Sequence, residues 1–259
     1  ADIAKKTFNV ILSRMDNPKD RWNKAHPKTR DLKTLSLPMI LCNLSLEIEH
    51  LLDGEFIKKI MNHCIHEVME VFLRPELGGI LVENVHKDGS LSDSFDGRLV
   101  SPGHAIEAMW FIMDLAVRLD RKDLIEKAVK TTLTMIKYGW DEKYDGIFYF
   151  MDRKGYPPLQ LEWDQKLWWV HIETLISLLK GYRLTGSQEC LAWFEKIHDY
   201  TWSHFKDTEY PEWWGYLNRR GEVLLELKGG KWKGCFHVPR GLYQCWKTLE
   251  EINLKNMNH

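Results

Sequence analysis

No apolar run in this chain approaches the roughly 20 residues of a membrane span, and no signal-type apolar stretch follows Ala-Asp-Ile-Ala-Lys-Lys at its start, so the expectation is a cytoplasmic protein without membrane association. An excess of either charge is also missing. With 36 Lys plus Arg against 37 Asp plus Glu, nothing in the charge balance argues for nucleic acid as a partner. There is no CxxC pair, no HExxH, no GxGxxG and no Walker-type loop, and the 11 histidines lack ligand spacing, so no metal site is expected. The five cysteines, Cys42, Cys64, Cys190, Cys235 and Cys245, are odd in number and scattered through mostly apolar patterns. They read as reduced core thiols rather than a disulfide framework, and Cys235 is expected to be a buried small apolar residue.

What is present is ample core material: 44% apolar residues and 12 Trp in 259 residues, read as a single domain over 1–259. Apolar spacing predicts helices over 3–14, 38–52, 56–72, 103–119, 122–138, 166–183, 187–205 and 239–252, most of them in hairpin pairs, with a polar connector over 19–33. Three segments between the pairs, 78–89, 145–155 and 212–223, combine a β-branched or aromatic run with a charged Gly-containing turn and are expected to be small β-hairpins. The inner helices begin near 36, 103, 166 and 238, a spacing of roughly 65 residues, which marks a repeat architecture. The reading is all-α: an α/α toroid with short β excursions. Because such a ring closes with about six helix pairs and about four are legible, the chain is expected to lack its first pairs.

The chemistry concentrates at two helix mouths. In Arg98-Leu-Val-Ser-Pro-Gly-His-Ala-Ile-Glu-Ala-Met-Trp, Ser101 is a suitable N-cap and Pro102 a suitable first residue, which puts His104 in the first turn and Glu107 on the same face. The positive end of the helix dipole disfavours an imidazolium, so His104 is expected to be neutral. One such histidine would be compatible with a purely structural role. A second copy, Lys233-Gly-Cys-Phe-His-Val-Pro-Arg, sets His237 and Arg240 around Pro239 at another helix start. Of the aromatic candidates for an apolar sugar floor, Trp110, Trp163, Trp168 and Trp169, the choice is Trp169, which shares a face with Glu173 at i,i+4. His171 is offset from that face and reads as structural.

Gly103-His104-Ala-Ile-Glu107-Ala-Met-Trp110, Leu161 to Glu173, Lys233 to Arg240 and Leu37 to Glu47 resemble the N-acylglucosamine 2-epimerase (renin-binding protein) family, its animal members in particular, over nearly the whole chain. The resemblance implies an (α/α)6 barrel of which this chain is the C-terminal two thirds. It implies interconversion of N-acetyl-D-glucosamine and N-acetyl-D-mannosamine, a step of amino-sugar metabolism towards sialic acid. No cofactor takes part in that chemistry, ATP or another nucleotide acts as activator, the protein is a homodimer, and renin is a partner in animals. On the family pattern His104 and His237 are the acid/base pair, Glu173 the active-site carboxylate and Arg240 a catalytic arginine. Glu107, Trp169 and Trp110 are taken as substrate-binding, with Glu107 equally readable as a solvated helix residue. Two other readings stand beside this one. One is a glycoside hydrolase on the same toroid, using carboxylates such as Glu162, Asp164 or Glu173. The other is a protein-binding module without activity that grips its partner through a toroid end or the basic connector from Arg21 to Lys33.

Overall fold

The computed structural model describes residues 1–15, 29 and 31–257. Its helices are α1 (Asp2–Leu12), α2 (Ser36–Ile48), α3 (Gly54–His66, continued by a π-helical stretch Glu67–Phe72), a short α4 (Phe95–Arg98), α5 (Pro102–Arg118), α6 (Lys122–Gly139), α7 (Trp168–Thr185), α8 (Gln188–His204) and α9 (Val238–Met257). The expected helices are all found, with ends displaced by a few residues. Most of the basic connector, residues 21–28 and 30, lies outside the described residues, and so does its expected role as a grip.

The helices form two layers for a reason visible in their burial. In α7 every residue from 168 to 181 is buried, and in α5 nearly all from 102 to 116 are, so these helices are packed on all sides. In α6 the buried set is a stripe, Leu124, Ala128, Val129, Thr132, Met135 and Ile136, as suits an outer helix with one face in water. The inner helices pack in chain order, α2 on α5, α5 on α7 and α7 on α9, while α3, α6 and α8 each lie against the inner helix before them. This is the α/α toroid arrangement.

Among the described residues, nine short strands lie between the helices: β1 (Leu32–Thr34), β2 (Leu73–Arg74), β3 (Ile80–Leu81), β4 (Asn84–His86), β5 (Leu99–Val100), β6 (Met151–Asp152), β7 (Lys166–Leu167), β8 (Tyr216–Leu217) and β9 (Val223–Leu225). Of the three expected hairpins, only 212–223 pairs within itself, β8 with β9, and β8 also pairs with β7. In 78–89, β3 turns back on β2 through the left-handed Gly78 and Gly79, and β4 pairs with the distant β1. In 145–155, β6 pairs with β5, some fifty residues earlier. A turn signal marks where the chain reverses. The partner strand is whichever edge the helix ends bring alongside, and that is decided by packing.

Two glycines allow the inner helices to close on one another. A Cβ on Gly103 would stand 2.7 Å from the Trp169 ring and 2.8 Å from Val170, and one on Gly241 would stand 2.2 Å from Ile172. Only glycine lets α5 and α9 approach α7 this closely.

Candidate active site

Ser101 caps α5 as expected, its hydroxyl accepting from the His104 N–H at 3.3 Å, and Pro102 occupies the first turn. The cap orients the histidine side chain over the mouth of the helix. Trp169, in the first turn of α7, lies below it, with ring centroids 5.0 Å apart. His237, in the residue before α9, meets the same indole at 5.7 Å. Two imidazoles carried by different elements on either flank of α7 therefore share one aromatic neighbour.

Each imidazole is tied to a carboxylate through Nδ1. His104 Nδ1 lies 3.1 and 3.2 Å from the two oxygens of Glu83, and His237 Nδ1 lies 2.7 Å from Glu173 Oε1. A carboxylate can only accept, so Nδ1 carries the proton in both and Nε2 is left as the exchanging atom. Glu173 is fully buried, as its place inside α7 requires. It also accepts from Trp110 Nε1 at 2.8 Å and from Arg240 Nη2. Arg240 Nη2 reaches Glu107 Oε1 at 3.5 Å, and its Nε and Nη1 are buried without a hydrogen-bond partner among the described residues. Phe236 covers the guanidinium face at 4.0 Å.

Several expectations change here. Glu107 is buried rather than solvated, 3% exposed. Burial first and the Glu173 charge second push its pKa up to about 8, against the opposing pull of His104 and Arg240, so it holds a proton at neutral pH. Trp110 is 1% exposed and gives its N–H to Glu173, which puts it beneath the carboxylate rather than at an open floor. The downward pull expected on the His104 pKa is reversed. Burial lowers its pKa, but the charge and hydrogen bond of Glu83 outweigh burial and raise it above the ordinary value. A helix-end effect, worth about 0.3–1 kcal/mol at an exposed site, does not compete with a carboxylate at 3.1 Å. Cys235 is exposed, not buried.

His171 is structural, as expected: Nδ1 donates to Leu167 O at 2.7 Å, Nε2 accepts from Ile147 N at 3.2 Å, and burial drives its pKa down to about 3. Among the described residues, Glu107, Glu173 and His237 converge within 4.8 Å in a set that could hold a cation. The Arg240 guanidinium already lies between the two carboxylates and supplies the positive charge there. Of the hydrolase candidates, Glu162 is exposed. Asp164 lines a different, shallow groove of about 290 Å³ with Gln165, Arg219 and Arg220, so only Glu173 joins the histidines.

Glu83 was missed by the sequence reading, which took Gly78 to Gly89 as a hairpin only. Its signal was a single acidic residue inside the apolar run Ile80-Leu-Val-Glu-Asn-Val.

Fold and site together define an α/α-toroid protein with an acid–base centre at the mouths of its inner helices. Comparison narrows this. The family model described as N-acylglucosamine 2-epimerase (GlcNAc 2-epimerase) matches residues 1–239. The N-acylglucosamine 2-epimerase of Mus musculus is 40% identical over 223 residues, covering 83% of this chain and 52% of the relative. In structure, a D-mannose isomerase superposes with a TM-score of 0.77 at 16% identity, covering 94% of this chain and 65% of that one. The cellobiose 2-epimerase of Spirochaeta thermophila gives 0.67 at 19%, covering 85% and 53%. The chain belongs to the N-acylglucosamine 2-epimerase family, and it spans about half the length of the curated relatives it matches.

Proposed function

We propose that this chain carries the acid–base half-sites of a sugar 2-epimerase acting on N-acetyl-D-glucosamine and N-acetyl-D-mannosamine. The observation that carries the reading is the pair His104 and His237, each bound through Nδ1 to a carboxylate and each against Trp169. Inverting C2 of an aldose requires removal of the proton next to the open-chain aldehyde and return of a proton to the other face. Two groups of near-neutral pKa on different elements suit that task.

One histidine takes the C2 proton through Nε2. The C–H electron pair becomes the C1=C2 bond, and the carbonyl pair moves onto O1. The other histidine then delivers a proton to C2 from the opposite face as the carbonyl re-forms. No electron enters or leaves. The transient negative charge on O1 calls for donors already in place, and the Nε and Nη1 hydrogens of Arg240 have no other partner among the described residues. Protonated Glu107 is suited to donate to a sugar oxygen, and Trp169 offers its apolar face to the sugar ring.

The test is proton NMR of N-acetylmannosamine with this chain in D2O, with and without ATP. Deuterium entering C2 together with appearance of N-acetylglucosamine is the expected outcome. Absence of exchange both here and in a full-length relative under the same conditions would sink the reading.

A further inference from the structure

Glu83 is an ionisable residue placed where the fold offers no reason for one. It lies in the link between β3 and β4, and its neighbours Ile80, Leu81, Val82 and Val85 are all buried. Desolvating a carboxylate in such surroundings is costly unless a partner repays it. The partner is His104, within hydrogen-bond distance of both carboxylate oxygens.

The backbone holds this pair in a common frame. Glu83 O accepts from Leu35 N at 2.9 Å, just before α2, and Glu83 N donates to Leu99 O at 3.2 Å, in β5. Two residues after Leu99 stands Ser101, whose side chain caps α5 and fixes the His104 N–H. The carboxylate and the imidazole are thus anchored to the same strand, and neither depends on a mobile surface loop.

The charged and titratable groups around His104 come from every side of the site. Glu83 faces it from the β3–β4 link and Glu107 from its own helix. Trp169 on α7 contributes only an uncharged face, and His237 and Arg240 stand beyond it at the start of α9, with Arg240 bonded to Glu107 and Glu173. The two dyads consequently differ. Glu173 is shared among Trp110, His237 and the full positive charge of Arg240, whereas the carboxylate of Glu83 is turned to His104 with both oxygens.

We propose that Glu83 is a positioning residue for His104: it accepts the Nδ1 hydrogen, leaves Nε2 to the sugar, and favours the protonated ring. The ring geometry and the direction in which Glu83 biases the ring stand on the contacts alone; the role in proton delivery rests on the epimerase reading above.

The experiment is long-range 1H–15N NMR of the histidine rings in this chain, titrated in the wild type, Glu83→Gln and Glu83→Asp. Glutamine retains an accepting oxygen but removes the charge, so burial is left as the larger influence on His104. The wild-type midpoint is expected above 6.5 and the Glu83→Gln midpoint below it, with Glu83→Asp restoring part of the difference. Proton on Nδ1 of the neutral ring is expected in all three. An unchanged His104 signal in Glu83→Gln, or a neutral ring carrying its proton on Nε2, would overturn the proposal. The His237 resonances and the far-UV circular dichroism serve as the control for folding. In the full-length epimerase, the alkaline limb of the kcat/KM profile should move to lower pH in Glu83→Gln, because that limb reports loss of the His104 proton. Should the epimerase reading fail, the titration difference survives without activity. Should the role of Glu83 fail, activity persists and the titration and alkaline limb stay where they are.

Discussion

The two histidine dyads reach one indole by different construction. His237 belongs to a four-membered cluster in which the fully buried Glu173 is bonded by Trp110, Arg240 and the imidazole. His104 belongs to a two-membered pair at a half-exposed helix mouth, its side chain 31% exposed, with Glu83 supplied by a strand link rather than by a helix. The first is a structural junction between α5, α7 and α9 as much as a chemical group. The second can change charge without the core having to follow. Glu173 divides its negative charge between Arg240 and a histidine, whereas Glu83 faces His104 with both oxygens.

The largest expected effect tests what the dyads have in common. His104→Ala and His237→Ala are each expected to lower turnover of the full-length epimerase by about 10²–10⁴-fold, the usual worth of a positioned acid or base, read as C2 deuterium exchange. A near-normal rate in either variant removes that ring from the chemistry and ends the comparison.

The next effect concerns how the dyads differ. Glu173→Gln strips the negative charge from a site holding Arg240, and is expected to cost on the order of 3 kcal/mol in folding stability. Glu83→Gln is expected to cost clearly less, since a half-exposed His104 can release its proton. Urea unfolding of both variants decides this, and equal losses would mean that the buried cluster is no more structural than the exposed pair.

The smallest effect sharpens the electrostatics between the dyads. The pKa of Glu107 rises from 4.5 to about 8 on folding. Between those values the folded state keeps a proton that the unfolded state has released, so stability contributed by this group is present at low pH and falls as pH rises through that window. Glu107→Gln cannot lose that proton. It is expected to gain about 1 kcal/mol relative to the wild type between pH 5 and pH 6, measured as urea midpoints. Parallel pH profiles for the two proteins would show that Glu107 ionises as a surface carboxylate does.

Much of this was readable before any coordinates. The cap at Ser101, the first-turn Pro102 and the repeat spacing located α2, α5, α7 and α9 within a few residues, since capping and apolar periodicity are local properties of the chain. His104, His237, Glu173 and Arg240 were legible because two copies of one motif stand at helix starts and because these residues match a family pattern. Trp169 and His171 also took the places their helical offsets implied. Glu83 was not legible as a site residue, because its partner lies 21 residues away across a strand and a helix cap. Nor was the exposure of Cys235, which follows from the loop into α9 and not from its own apolar neighbours.

The sequence by itself determined the helices, their order, their inner and outer faces, and which side chains stand at the inner mouths, because each of these follows from interactions within a few residues. Tertiary structure alone decided which strand edges pair, that Trp110 turns its N–H to Glu173, that Glu107 holds a proton, and that Glu83 raises the pKa of His104. Those outcomes depend on what stands across a gap of a few ångströms. Burial and charge at that range are set by the packing of distant segments, which no local pattern records.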